Sequence, residues 1–565
     1  MKIRSTRNVV AATVAGMMVA AVGLGYFPGC GDASSEKGAV ISICGVPATP
    51  EYEDLDPFKS CSFMKLCYKK KGETKLRGCQ LVEFLDASGF VDALPFDEDI
   101  SLVAECYDSD PLSPTPEPNN LKAKGQTVPF RHRQGDNLDL YNIFLMLPSS
   151  FGPTMAFGDG ALACAGSETS PYSTRWGATA TELYDSTVLI AGGVDGHDSQ
   201  CGDWSDPTCV EKAHSTATIY DPRNGTFNLV GTEAGALMTQ KRAFAAAIRL
   251  PSEQVVIFGG VNATGDPTNS VDVYDPVGRN FEAGMPMLDT RSRFTATLIS
   301  SSEAGYVLLI GGYGTGEATW EVWTPTVGTI ASGQLAESRW NHTSTLITSK
   351  EDPAVKRDMV VIAGGEGGGE PGASTVRDTL EIFDIDANKL DPLPIALCSN
   401  TPGNGTKKTM HAAAFVPKRH FLYIAGGFKD TKHAEPVQDI CVWHSSQEKW
   451  SGEAGTFRLR TGRGALTATA LPGNVVLFAG GLIKDEGVLS EAETVEIVFE
   501  YVKQDTGETV VDIGPGDGFQ IAMLYPRWDH NAIATADGKV LFYGGITGTP
   551  ASFSVVEKTE LFNPQ

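Results

Sequence analysis

Apolar and polar positions along this chain fall into short blocks, not long stripes. Runs of four apolar residues, such as Val188-Leu189-Ile190-Ala191 and Val255-Val256-Ile257-Phe258, end on a Gly-Gly pair. A short apolar run bounded by turn formers predicts a buried β-strand. The pattern occurs seven times, at Gly192-Gly193, Gly259-Gly260, Gly311-Gly312, Gly364-Gly365, Gly426-Gly427, Gly480-Gly481 and Gly544-Gly545. Successive pairs lie 67, 52, 53, 62, 54 and 64 residues apart. A repeat of this length decides the architecture before any local feature does.

Two further marks recur, the first in every unit and the second in five. A basic-aromatic start precedes the apolar run: Arg175-Trp176, Arg242-Ala243-Phe244, Arg293-Phe294, Arg339-Trp340-Asn341-His342, Arg463-Gly464 and Arg527-Trp528-Asp529-His530. In the fifth unit Met410-His411 stands there without an Arg. After the Gly-Gly pair comes an alternating strand closing on an aromatic residue, with another apolar residue seven positions on. The pairs are Tyr220 and Phe227, Tyr274 and Phe281, Trp323 and Ile330, Phe383 and Leu390, and Trp443 and Trp450. Turn formers between them, such as Asp221-Pro222-Arg223-Asn224-Gly225, predict hairpins with both apolar ends on one face.

This combination resembles the kelch repeat over about 415 residues, from 151 to 565. The resemblance implies an all-β fold, a seven-bladed β-propeller with four strands per blade around a central channel. Sheets stacked in a ring bury faces that an isolated four-stranded sheet would expose. The seventh unit ends at Phe562, before a partner strand can follow, so its outermost strand must come from elsewhere. The resemblance implies donation from the N-terminal side, and the spacing in the other units points to a strand near 160–165. Six blades and one decayed unit is the alternative, because Val495 to Val502 lacks the seven-residue pairing.

The region ahead of the repeat differs. Residues 1–29 carry Lys2, Arg4 and Arg7, then an uncharged run from Val9 to Phe27. This pattern reads as a signal peptide, with an uncleaved anchor as the alternative. Gly29-Cys30 followed by small polar residues resembles a bacterial lipoprotein signal, which implies a lipid on Cys30, a tether at 30–37 and an envelope location. Eleven Cys are present; setting Cys30 aside leaves ten, enough for five disulfides in an oxidising compartment. Cys201 and Cys209 share one loop and are the first expected pair, with Cys79, Cys106, Cys398 and Cys441 further candidates. Residues 38–150 hold five Cys, and candidate strands at 79–85, 100–107 and 138–147, and predict a small disulfide-braced β domain, sandwich-like in form.

Charge and chemistry narrow the function classes. The formal charge is −24, from 45 basic and 69 acidic residues, which argues against nucleic acid and anionic membrane as partners. Contact with membrane is expected only through the N-terminal lipid. No P-loop, G-x-S-x-G elbow, HExxH or zinc spacing appears. His342, His411 and His530 share one repeat position and invite a metal reading; satisfying backbone groups of their own hairpins is the plainer one. Galactose-oxidase-type copper enzymes carry similar repeats, but no Tyr-His dipeptide occurs here. The loop 195–203 offers oxygens for calcium; a disulfide-pinned surface loop accounts for it as well. No cofactor is expected, and the enzyme classes have no signature. The reading is a scaffold whose loops, longest at 194–213, 366–378 and 399–409, bind a protein partner. Glycan or small-ligand binding is the alternative.

Overall fold

The computed structural model describes residues 40–45, 53–57, 59, 61–83, 94–111, 121–131, 133, 140–154, 169, 175–197, 204, 206, 209–211, 213–231, 235–300, 305–371, 373–452, 455–502, 509–514 and 521–564. The described chain is all-β, with only single-turn 3-10 helices. Each Gly-Gly pair ends the second strand of an antiparallel sheet of four or five strands. We number these sheets as units one to seven. Unit two shows the pattern: Ala246–Arg249, Val255–Phe258, Val271–Asp275 and Asn280–Ala283, hydrogen-bonded in that order. All four residues of its second strand are buried, because both faces of the sheet are covered.

Apolar cores lie between successive sheets. Tyr274 and Phe281 of unit two pack with Leu189 and Ala217 of unit one, and Trp323 of unit three with Phe258 of unit two. Leu541, Tyr543 and Leu561 of unit seven share a core with Val188, Ile190 and Tyr220 of unit one. The first strands of successive units lie side by side, and Asn531–Ala534 of unit seven lies beside Thr179–Glu182 of unit one. Seven stacked antiparallel sheets of this kind fit a β-propeller.

Two expectations need correction. Tyr220 faces Phe227, Tyr274 faces Phe281, Phe383 faces Leu390 and Trp443 faces Trp450. Trp323 instead faces Thr329, and Ile330 is the extra residue of a β-bulge, half exposed. Unit six forms its outer hairpin from longer strands, Thr494–Val502 and Thr509–Gly514. The outermost strand of unit seven does come from the N-terminal side, but it is Ser150–Pro153, paired antiparallel with Glu560–Asn563. Residues 160–165 lie outside the described residues. The spacing rule misplaced this strand because it holds only where a short connector joins one unit to the next; twenty-one residues separate Pro153 from Arg175.

Ahead of the repeat, Arg77–Glu83, Phe63–Lys70, Asp99–Tyr107 and Leu121–Gln126 form one sheet, and Val40–Gly45 pairs parallel with Leu140–Leu145. The two sheets share a core of Met64, Leu66, Leu102, Ala104, Ile143 and Leu145. Phe144 and Met146 point the other way, into the core between units seven and one. Asn563 Nδ2 donates to Met146 O at 3.1 Å and to Leu147 O at 3.2 Å.

Candidate functional site

Every unit begins with a buried cation: Arg175, Arg242, Arg291, Arg339, Lys408, Arg463 and Arg527. Each donates to the carbonyl of the first glycine in its own Gly-Gly pair, as Arg242 Nη1 does to Gly259 O at 2.7 Å and Lys408 Nζ to Gly426 O at 3.0 Å. Two starts therefore move from their expected places. Unit three uses Arg291, and Arg293 lies two residues further on; unit five uses Lys408, which a search for Arg passes over. Five of these cations also meet a carboxylate on the third strand: Asp272, Glu321, Glu381, Glu496 and Glu560. The second carboxylate oxygen accepts a backbone N–H from the segment leading into the unit, such as Thr239 or Ala336. Sequence reading missed these acids, although each stands two residues before the position of the closing aromatic. An acid on a strand buried on both faces needs a partner, and that was the available signal.

The Gly-Gly pairs join neighbours. In six units the second glycine donates its N–H to the carbonyl of the next unit's cation, from Gly193 to Arg242 at 2.9 Å through Gly481 to Arg527 at 2.9 Å. Gly192 has φ +70°, and a Cβ there would lie 2.5 Å from Arg242 O. Gly544 is held against Arg175 O in the same way. His342, His411 and His530 occupy the gaps between units, each against a different neighbour. Their Nε2 atoms lie 2.9, 2.9 and 3.0 Å from Thr295, Thr343 and Thr467 of the preceding unit. Burial and the neighbouring cations Lys408 and Arg339 push His411 down to about 3; His342 and His530 are also held well below the usual range by burial first.

Two positions beyond each cation the backbone turns left-handed, at Gly177, Phe244, Arg293, Asn341, Met410, Ala465 and Asp529. Six backbone bonds link these residues in succession, Phe244 N to Gly177 O through Asp529 N to Ala465 O. Between units seven and one, Trp176 Nε1 donates to Asp529 at 2.8 Å. Arg293 of unit three reaches Asp529 of unit seven at 3.0 Å, its guanidinium over the Phe244 ring. The connections between second and third strands gather on this face. Trp204 packs edge-on against His433 and Trp528, and Phe553 against Trp176 and Trp528. Beneath them Glu366 accepts bonds from His433, Asn341 and Thr409, each at 3.0 Å, and from Ser374 at 2.9 Å. Burial pushes its carboxyl up, but these bonds outweigh that and hold it below its ordinary value.

Of the loops singled out by length, 194–213 contributes Trp204 to this face and 366–378 contributes Glu366 and Glu370, which binds Tyr313 at 2.8 Å. The third, 399–409, is divided. Lys408 is buried at a unit start, while Asn400 holds Trp450 at the outer edge of unit five. Hollows of about 480 and 460 Å³ flank that loop, lined respectively by Lys407, Lys429 and Arg458 and by Asp378, Asn400 and Glu448.

Among the cysteines, Cys398 is bonded to Cys441, Cys79 to Cys67 and Cys106 to Cys61. Cys209 is disulfide-bonded; Cys201 and Cys30 lie outside the described residues. Asp195 of the calcium candidate loop is engaged by His214 Nε2 at 2.5 Å, and residues 198–203 are not described. Among the described residues no group of three or more His, Cys, Asp or Glu side chains could hold a metal ion.

No family model matches this chain, and no curated protein does. A solved structure of a novel fungal alcohol oxidase of the AA5 family, in complex with copper, is similar at 13% identity with a TM-score of 0.48. The similarity covers 74% of this chain and 76% of that one.

Proposed function

We propose that the seven units are blades of a closed, kelch-type propeller, lipid-anchored through Cys30 at the bacterial envelope, whose loop face holds a protein partner. The core shared by units seven and one and the Gly544 contact with Arg175 support closure. One observation carries the functional reading: the chain's own Trp204, Met410 and Phe428, with Phe553 against them, form one apolar cluster on the loop face. A face filled in this way offers a broad surface, which suits a protein better than a small ligand. Loops on a rigid scaffold vary without disturbing it, and here the second-to-third-strand connection ranges from 8 residues in unit three to 25 in unit one.

Photo-crosslinking in envelope preparations tests this. A crosslinker at Tyr313, on the loop face, should trap one partner; a crosslinker at Val277, in the outer hairpin of unit two, should not. Equal capture from both positions refutes the assignment, and so does copper bound at one per purified chain. Fatty-acid labelling that survives Cys30→Ala refutes the anchor.

A further inference from the structure

The cation–carboxylate lock is missing from two units. In unit five the acid's position is held by Cys441, bonded to Cys398, and the cation is Lys408. Burial lowers Lys408 to about 8, so this amine can meet its surroundings by giving up a proton. Arginine has no such option, because guanidinium stays protonated in proteins.

Unit one keeps the arginine and loses the acid. Arg175 is 1% exposed, and Thr218, at 0%, stands where the other units place Asp or Glu. Arg175 donates to Gly192 O at 2.6 Å, Thr216 O at 3.0 Å and Thr216 Oγ1 at 2.7 Å, all neutral acceptors. Among the described residues, its Nε and the Thr218 hydroxyl have no hydrogen-bond partner. Nε is also unpartnered in Arg242, Arg339 and Arg463, which do have carboxylates. The unpartnered hydroxyl and the missing counter-charge are what set unit one apart. Asp195 contributes some opposite charge but is already taken by His214. A buried cation without a hydrogen-bonded anion is costly enough to draw one in.

We propose that Arg175 and Thr218 hold a small monovalent anion of the halide class, in the position a carboxylate takes in five other units. The guanidinium supplies charge and the threonine O–H supplies a second donor. The expected ligand is about as small as the carboxylate head that the other units place there.

Thermal melts of the intact protein in chloride against gluconate, at constant ionic strength, test the site. Wild type should gain about 2 °C per tenfold chloride above the dissociation constant. Thr218→Glu supplies the acid internally and should melt as high without chloride, with no chloride dependence. Thr218→Val removes the donor and should shift the chloride midpoint to higher concentration, a result that serves even if the Glu variant does not fold. Crystals grown in bromide should show an anomalous peak within hydrogen-bond distance of Arg175 and Thr218. A wild-type melt indifferent to chloride, an unchanged chloride slope in Thr218→Glu, or no bromide peak there overturns the proposal.

Discussion

At the scale of single residues, the histidines show how burial decides chemistry. His342, His411 and His530 stay neutral in the fold because desolvation and adjacent cations oppose protonation. In the unfolded chain they would take protons near 6.5. Their contribution to stability is therefore complete above about pH 6.5 and is lost as pH falls below it, for His411 down to about 3, where it protonates in the fold. Each adds about 1.4 kcal/mol per pH unit of slope in that window. Replacing all three with Gln, which can still reach the threonine hydroxyls, should flatten the acid limb of a urea-denaturation series; an unchanged slope refutes this. The locks allow a second test. Glu381→Ala leaves Arg339 charged and buried, and should cost about 3–5 kcal/mol in the same assay, whereas breaking an exposed pair such as Arg77–Glu73 should scarcely move it. The shared histidine position was legible in the sequence, but its role was not, because the bonding partner belongs to a neighbouring unit some fifty to seventy residues earlier.

At the scale of elements, apolar patterning marked the second strands almost to the residue, since burial on both faces leaves little else they could be. The outer hairpins were legible where an aromatic faces another apolar residue across the turn. Unit three departs because the bulge at Ile330 shifts the register by one, and a side-chain spacing of seven cannot report a one-residue insertion. The two positions should respond differently to truncation. Phe281→Ala empties a buried contact with Tyr274 and should cost about 3–5 kcal/mol. Ile330→Ser changes a half-exposed bulge residue and should stay within about 0.5 kcal/mol. Similar losses at both positions would mean that the seven-residue spacing, and not the observed pairing, describes unit three.

At the scale of the molecule, the sequence made the missing strand visible but not its source. Without a further strand beside it, Glu560–Asn563 of unit seven would present an open edge, and such an edge invites pairing. Ser150–Pro153 fills it, with Phe151 packed against Phe542 and Phe562, while Asn563 bonds back to Met146 and Leu147. Ser150–Pro153 and Glu560–Asn563 are thus held by one sheet and one core, so the covalent link between Pro153 and Arg175 is not what keeps them together. A protease site introduced within 155–168 tests that argument. After cleavage the N-terminal piece should stay with the rest through gel filtration, and it should separate once the non-covalent contact is weakened by Phe151→Asp. If the wild-type pieces part on cleavage alone, the linker rather than the donated strand joins them, and the edge of unit seven is the weak point of the repeat region.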